Sequence, residues 1–150
     1  MFDNAIDPSI LIEFIDESMD SIAELPQQFI EMEINPHDKE IIDTIFRPVH
    51  SIKGNAAFFG MFKLKKLTHE METTLDRCRK GKLIPSKEII NTLLKGLDLI
   101  TSIFDRVRNG ETEVKDEAVY LQILSEVTDS YLDKSDTSSP DEILSLIKEV

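Results

Sequence analysis

Apolar residues return with a helical period along nearly the whole chain. Over residues 8–34, Ile10, Leu11, Phe14, Ile15, Ile22, Leu25, Phe29 and Ile30 fall on one stripe. Asp7 can cap this stretch, and Pro8 fits its first turn, where a missing N–H costs nothing. Pro26 interrupts the pattern and predicts a kink or break. A second helix is predicted from near Pro36, turning Ile41, Ile42, Ile45, Phe46, Val49, Ile52, Ala56 and Phe59 inward. Pro48 cannot donate to the Thr44 carbonyl, so a local bend is expected just ahead of His50. Gly60 ends that helix. A third is predicted from about Lys63 to Lys80, with Leu64, Leu67, Met71, Leu75 and Cys78 as its apolar face and Gly81 as its stop.

The fourth helix, Ser86 to about Asn109, follows Pro85 and buries Ile89, Ile90, Leu93, Leu94, Leu97, Ile100, Ile103, Phe104 and Val107. Gly110 and the polar run ETEVK read as a loop. A fifth helix, Asp116 to about Asp133, offers Val119, Leu121, Ile123, Leu124, Val127 and Tyr131. KSDTSS reads as a linker, and Ser139-Pro140-Asp141-Glu142 opens a short last helix with a capping box. No segment has strand period. The chain is therefore all-α: an antiparallel bundle over 1–133, a four-helix core plus a fifth helix, then a linker and short helix over 134–150.

Composition narrows the function classes. The chain has 150 residues, one domain by length, and a single Cys, so no internal disulfide can form. The N-terminal residues show no signal-peptide pattern and no 18-residue apolar run occurs, so a cytoplasmic protein without a membrane span is expected. The net charge of −12 is unevenly spread. Residues 1–45 carry 12 acids and one base, whereas residues 46–82 carry 9 bases and 3 acids. The central basic block either balances its acidic neighbours or meets an acidic partner. Nucleic acid does not suit a chain whose overall field repels phosphates.

The three histidines are His37, His50 and His69. His37 lies beside Pro36 in a helix-start loop. If the second and third helices form an antiparallel hairpin, residues whose numbers sum to about 122 face each other. His50 then lies level with Glu72, and Lys53 with His69. His50, Lys53, Gly54 and Ala57 share one helix face; His69, Glu72, Asp76 and Arg79 share another. A carboxylate that accepts the proton of one imidazole nitrogen fixes the tautomer and frees the other nitrogen's lone pair for attack. A nearby ammonium suits the negative charge of a phosphoryl group. Gly54 and Ala57 keep the surface beside the ring low. Gly54 in a helix interior costs roughly 0.8–1.0 kcal/mol relative to Ala, which either partner access or close helix packing would explain.

Other readings of these residues stand beside that one. Glu72 with Lys65 or Arg79 makes an ordinary surface pair. His50, His69 and Glu72 are a familiar zinc-ligand set, although Lys53 opposes a cation there. Cys78 lies on the apolar stripe. Phe58, Phe59, Met61 and Phe62 cluster at the hairpin turn as core or as a docking patch, and a helical adaptor without phosphorylation would use them.

HSIKGNAAFFG (50–60) resembles the phosphorylation motif of histidine phosphotransfer (HPt) domains. LTHEMETTLDRCRKGK (67–82) makes the chain most similar to the HPt domain at the N-terminus of chemotaxis histidine kinases of the CheA class. The resemblance implies that His50 accepts the γ-phosphoryl of ATP, that Lys53 assists it, that Glu72 holds the imidazole and that His69 completes the network. Gly54 matches the family glycine that gives access, while Asn55 stands where many members carry a smaller residue. It also implies two partners, a kinase catalytic domain that binds the ATP and a response regulator receiver domain of the CheY/CheB class with an acceptor Asp. No phosphate-binding Gly-rich loop occurs, so the chain is expected to carry phosphoryl groups without a cofactor or metal of its own, inactive as a kinase alone. A piece of a longer kinase and a stand-alone relay protein both fit. An isolated monomer is expected, because the resemblance places dimerisation elsewhere.

Overall fold

A computed structural model describes residues 7–133. Within them lie α1 (Pro8–Ile22), α2 (Leu25–Ile34), α3 (Lys39–Phe58), α4 (Phe62–Arg79), α5 (Lys87–Arg108) and α6 (Glu117–Asp133). Strands are absent among the described residues. The linker and helix expected over 134–150 lie outside those residues, as does the Tyr131 side chain.

The helix boundaries follow from capping. Asp7 accepts from the Ser9 N–H at 2.9 Å, and Pro8 occupies the first position of α1. Asp38, rather than the region of Pro36, starts α3 by accepting from Glu40 and Ile41. Ser86 and Asp116 cap α5 and α6 through their side-chain oxygens. The break in the first long stripe falls at residues 23–24 instead of at Pro26. Pro26 sits in the first turn of α2, where no helical N–H is needed, so it begins a helix rather than breaking one. Gly60 and Gly81 stop α3 and α4 with φ of 72° and 76°. In each case the next N–H bonds back to the helix, Met61 to Ala56 O and Lys82 to Arg77 O, both at 2.9 Å. Pro48 lies inside α3 without ending it.

Helices α3 and α4 form the most extensive packing in the molecule. Helix α5 packs against α1, α2, α4 and α6, and α6 leans on α4 and α5. The interior is continuous. Phe29, Phe104, Ile15, Ile45, Leu64, Leu67 and Met71 are fully buried, and Phe14 stacks on Phe59 at 5.1 Å and meets Phe104 edge-on at 5.6 Å. Several residues expected in the core lie at its edge or outside it. Ile10 and Ile30 are half exposed at the edge of their stripe. On α6, Tyr120 is buried with Leu124 and Val127, spaced four and three, while Val119 and Leu121 face outward. Phe46, like Ile41, Leu94, Val107 and Ile123, is only partly buried and packs against the edge of the core. No described helix is long and apolar enough to cross a membrane.

Candidate functional site

The α3–α4 hairpin brings His50, Lys53 and Glu72 together. Glu72 is the hub: its Oε2 lies 2.5 Å from His50 Nδ1, and its Oε1 accepts from Lys53 Nζ at 2.6 Å. The predicted register sets His50 level with Glu72, while Lys53 reaches diagonally to the same carboxylate rather than across to His69. His50 is open to solvent, its side chain 61% exposed, against 14% for Glu72. A carboxylate only accepts, so Nδ1 carries the hydrogen, and in the neutral ring Nε2 keeps its lone pair. That nitrogen is the one left to react. Among the described residues no hydrogen bond or ion pair joins His69 to this set; it is exposed, one turn before Glu72.

The electrostatics suit that arrangement. Partial burial pushes the Glu72 carboxyl upward, but hydrogen bonds and charge from Lys53 and His50 together outweigh it and hold the group below its ordinary value of 4.5. Glu72 thus stays ionised at neutral pH and keeps accepting from Nδ1. Lys53 lies beside the imidazole through the shared carboxylate, where a phosphoryl group would add negative charge.

The surface around His50 is low. Gly54 and Ala57 are exposed, and a Cβ built on Gly54 would meet nothing within 4 Å. Close helix packing therefore does not explain that glycine. The phenylalanine cluster divides: Phe59 and Met61 are core, whereas Phe58 and Phe62 are 65% and 67% exposed. Cys78 is buried, and burial pushes its thiol up to about 12, so it is no nucleophile at neutral pH. Among the described residues no three His, Cys, Asp or Glu side chains stand close enough to hold a metal ion, so His50, His69 and Glu72 do not form the ligand set considered above.

One part of the site escaped the sequence reading, which placed Phe46 in the core and Arg79 on the polar face of α4 as a candidate partner of Glu72; Arg79 instead pairs with Asp43 and Asp76. The Phe46 ring lies nearly parallel to the His50 imidazole, 12° apart with centroids at 5.8 Å. Arg79 lies over Phe46 at 4.5 Å and bonds Asp43 at 3.0 Å and Asp76 at 2.5 Å. The signal was present: the register that pairs 50 with 72 also pairs 46 with 76 and 43 with 79. From this end an open groove runs past Glu72 and Asp76 to Lys80 and Lys82.

Comparison with known proteins places this hairpin in a family. The model of the family described as "Hpt domain" matches residues 9–110. Among curated relatives, the sensor histidine kinase CheAY of Helicobacter pylori is 32% identical over 124 residues, covering 77% of this chain and 15% of its own. The chemotaxis protein CheA of Salmonella typhimurium is 36% identical over 98 residues, covering 65% of this chain and 15% of its own. The chain thus spans about 15% of the length of these relatives. In fold it is similar to the solution structure of the histidine phosphotransfer domain of CheA, with a TM-score of 0.74 and 24% identity, covering 89% of this chain and 97% of the other.

Proposed function

The chain belongs to the Hpt domain family, the phosphotransfer modules of two-component signalling, and from that premise we propose that His50 is its phospho-accepting residue. The observation that carries the assignment is the exposed imidazole whose Nδ1 is held by Glu72, which leaves the Nε2 lone pair as the nucleophile. In the proposed step Nε2 attacks the γ-phosphorus of ATP, the bond to the bridging oxygen breaks, and ADP leaves with that electron pair. Glu72 takes up the positive charge that the ring gains through Nδ1–H, and Lys53 faces the added phosphoryl oxygens. In the return step an aspartate carboxylate attacks the same phosphorus and His50 leaves.

No part of this chemistry asks the chain to bind nucleotide itself. A separate histidine kinase catalytic domain holds the ATP, and a response regulator receiver domain, CheY- or CheB-like, supplies the aspartate. The relatives named CheA and CheAY support a place in a chemotaxis-type pathway. In this proposal the chain acts in the cytoplasm as a monomeric unit. Gly54, whose Cβ position is open, supports close approach by both partners.

The test is incubation with a CheA-type kinase core and labelled ATP. The expected product is one acid-labile, base-stable phosphoryl group per chain, lost in His50→Gln and unaffected in His37→Gln. Full labelling of His50→Gln rejects the site. An adaptor without phosphorylation would bind its partner equally well with and without His50.

A further inference from the structure

We propose that Phe46 and Arg79 are positioning residues for His50, a role that rests on the phospho-acceptor reading above and extends it to the plane of the ring. A hydrogen bond from Nδ1 to Glu72 fixes one vertex of an imidazole that is otherwise 61% exposed. The bond to Cβ tethers the ring at Cγ, so this one hydrogen bond restrains rotation about Cβ–Cγ only as stiffly as the Glu72 side chain is held, and any such rotation moves Nε2. A second contact stiffens the ring.

Phe46 supplies it. It stands one helical turn before His50, and helical side chains lean toward the N-terminus, so the imidazole lies back over the phenyl ring. The two planes are 12° from parallel with centroids 5.8 Å apart, within the range of offset stacking. Phe46 is itself only half-buried, packed against the edge of the core with part of its ring left uncovered. Arg79 backs the ring: its guanidinium lies 4.5 Å from the Phe46 centroid. That guanidinium is fixed by carboxylates from both helices, Asp43 on α3 at 3.0 Å and Asp76 on α4 at 2.5 Å. Contacts therefore run from an ion-paired anchor bridging the hairpin, through Phe46, to the reacting ring. Arg79 is used for its planar, forked head, which spans two carboxylates and covers a ring at once; Lys cannot do both.

A contact that merely joins α3 to α4 would lower the melting temperature when removed and leave the imidazole as it was. A positioning contact changes the ring. Nitrogen-15 spectra of the imidazoles at pH 8 read this in the whole chain without any partner. The wild-type His50 is expected to show one dominant tautomer, with hydrogen on Nδ1. In Phe46→Ala the His50 nitrogen shifts should move toward those of a free histidine, and Phe46→Tyr should restore them. Arg79→Ala should move them in the same direction, and Arg79→Lys should not restore them. Chemical labelling with phosphoramidate should slow about tenfold in Phe46→Ala, the order expected when a reacting atom is misplaced by less than an ångström.

Because Arg79→Ala alters a partly exposed side chain, it keeps the test decisive even if Phe46→Ala unfolds. Wild-type nitrogen shifts in Arg79→Ala and in any folded Phe46→Ala would overturn the proposal. Failure of the wild type to take phosphoryl at His50 would instead reject the acceptor reading, and the nitrogen shifts would still decide whether the stack holds the ring.

Discussion

Helix α4 turns one side to an open groove beside α3 and packs the other against α5 and α6, and like residues behave oppositely on the two. Glu72, on the open side, receives two side chains that can carry positive charge, and its carboxyl is held below its ordinary value. Glu113, from the loop before α6, accepts from the Leu64 N–H at 2.9 Å and caps α4 from outside, since Met61 at the cap position offers no side-chain bond. There burial outweighs that hydrogen bond and the nearby Lys63, and pushes the carboxyl up. The two glycines that sit within helices divide the same way. Nothing would touch a Cβ on Gly54, whereas a Cβ on Gly96 would lie 2.9 Å from Met71 Sδ. A residue type alone does not announce its purpose; what its atoms face does.

The largest expected effect is on the open side. Glu72→Gln keeps the shape of the side chain but removes the charge that accepts from Nδ1–H. Phosphorylation of His50 by the kinase core should slow by at least about tenfold. Thermal unfolding should move little, within about 1 kcal/mol, because the pairs lost are near the surface. Equal loss of rate and of stability would show that Glu72 acts through the fold and erase the contrast between the two sides.

The glycines give the next effect. Gly54→Ala should stabilise the isolated chain by about 0.8–1.0 kcal/mol in urea melts while slowing transfer to and from the partners. Gly96→Ala should gain less, since Met71 must shift to admit the methyl group. Equal gains would mean that α5 does not need the close approach. A smaller effect separates the carboxylates by pH. Stability that Glu72 contributes is complete above 4.5 and is lost as pH falls through its lower folded value. The penalty for ionised Glu113 is complete above its raised folded value, fades as pH falls, and is gone below 4.5. Glu113→Gln should therefore raise the melting temperature at pH 7, with the gain vanishing below pH 4.5. A gain that grows in acid would reverse the sign assigned to that group.

What was legible in the sequence was whatever local pattern decides. Asp7 caps α1 as the spacing predicted, the helices expected to start at Ser86 and Asp116 start there with those residues as their caps, and the hairpin turn at Gly60 set the register that joins His50 to Glu72. Pro26 misled because a proline inside an apolar period and a proline opening a new helix look alike until the preceding turn is seen to end. Tyr120 was passed over on α6 since its ring is buried while its hydroxyl donates to the Lys63 carbonyl at 3.3 Å, a partner 57 residues away. Glu113 was illegible for the same reason, its partner lying 49 residues back in the chain. Phe46 followed the apolar stripe of α3 and packs against the edge of the core, and only the facing Arg79 shows what covers the rest of its ring.

The account turns on which nitrogen reacts, and phosphorus–nitrogen coupling in the NMR spectrum of the nitrogen-15-labelled, phosphorylated chain reads it directly. Coupling of the phosphorus to Nε2 of His50, with Nδ1 still protonated toward Glu72, is the predicted result. Coupling to Nδ1 would contradict it, because the carboxylate would then occupy the position that the phosphoryl group needs.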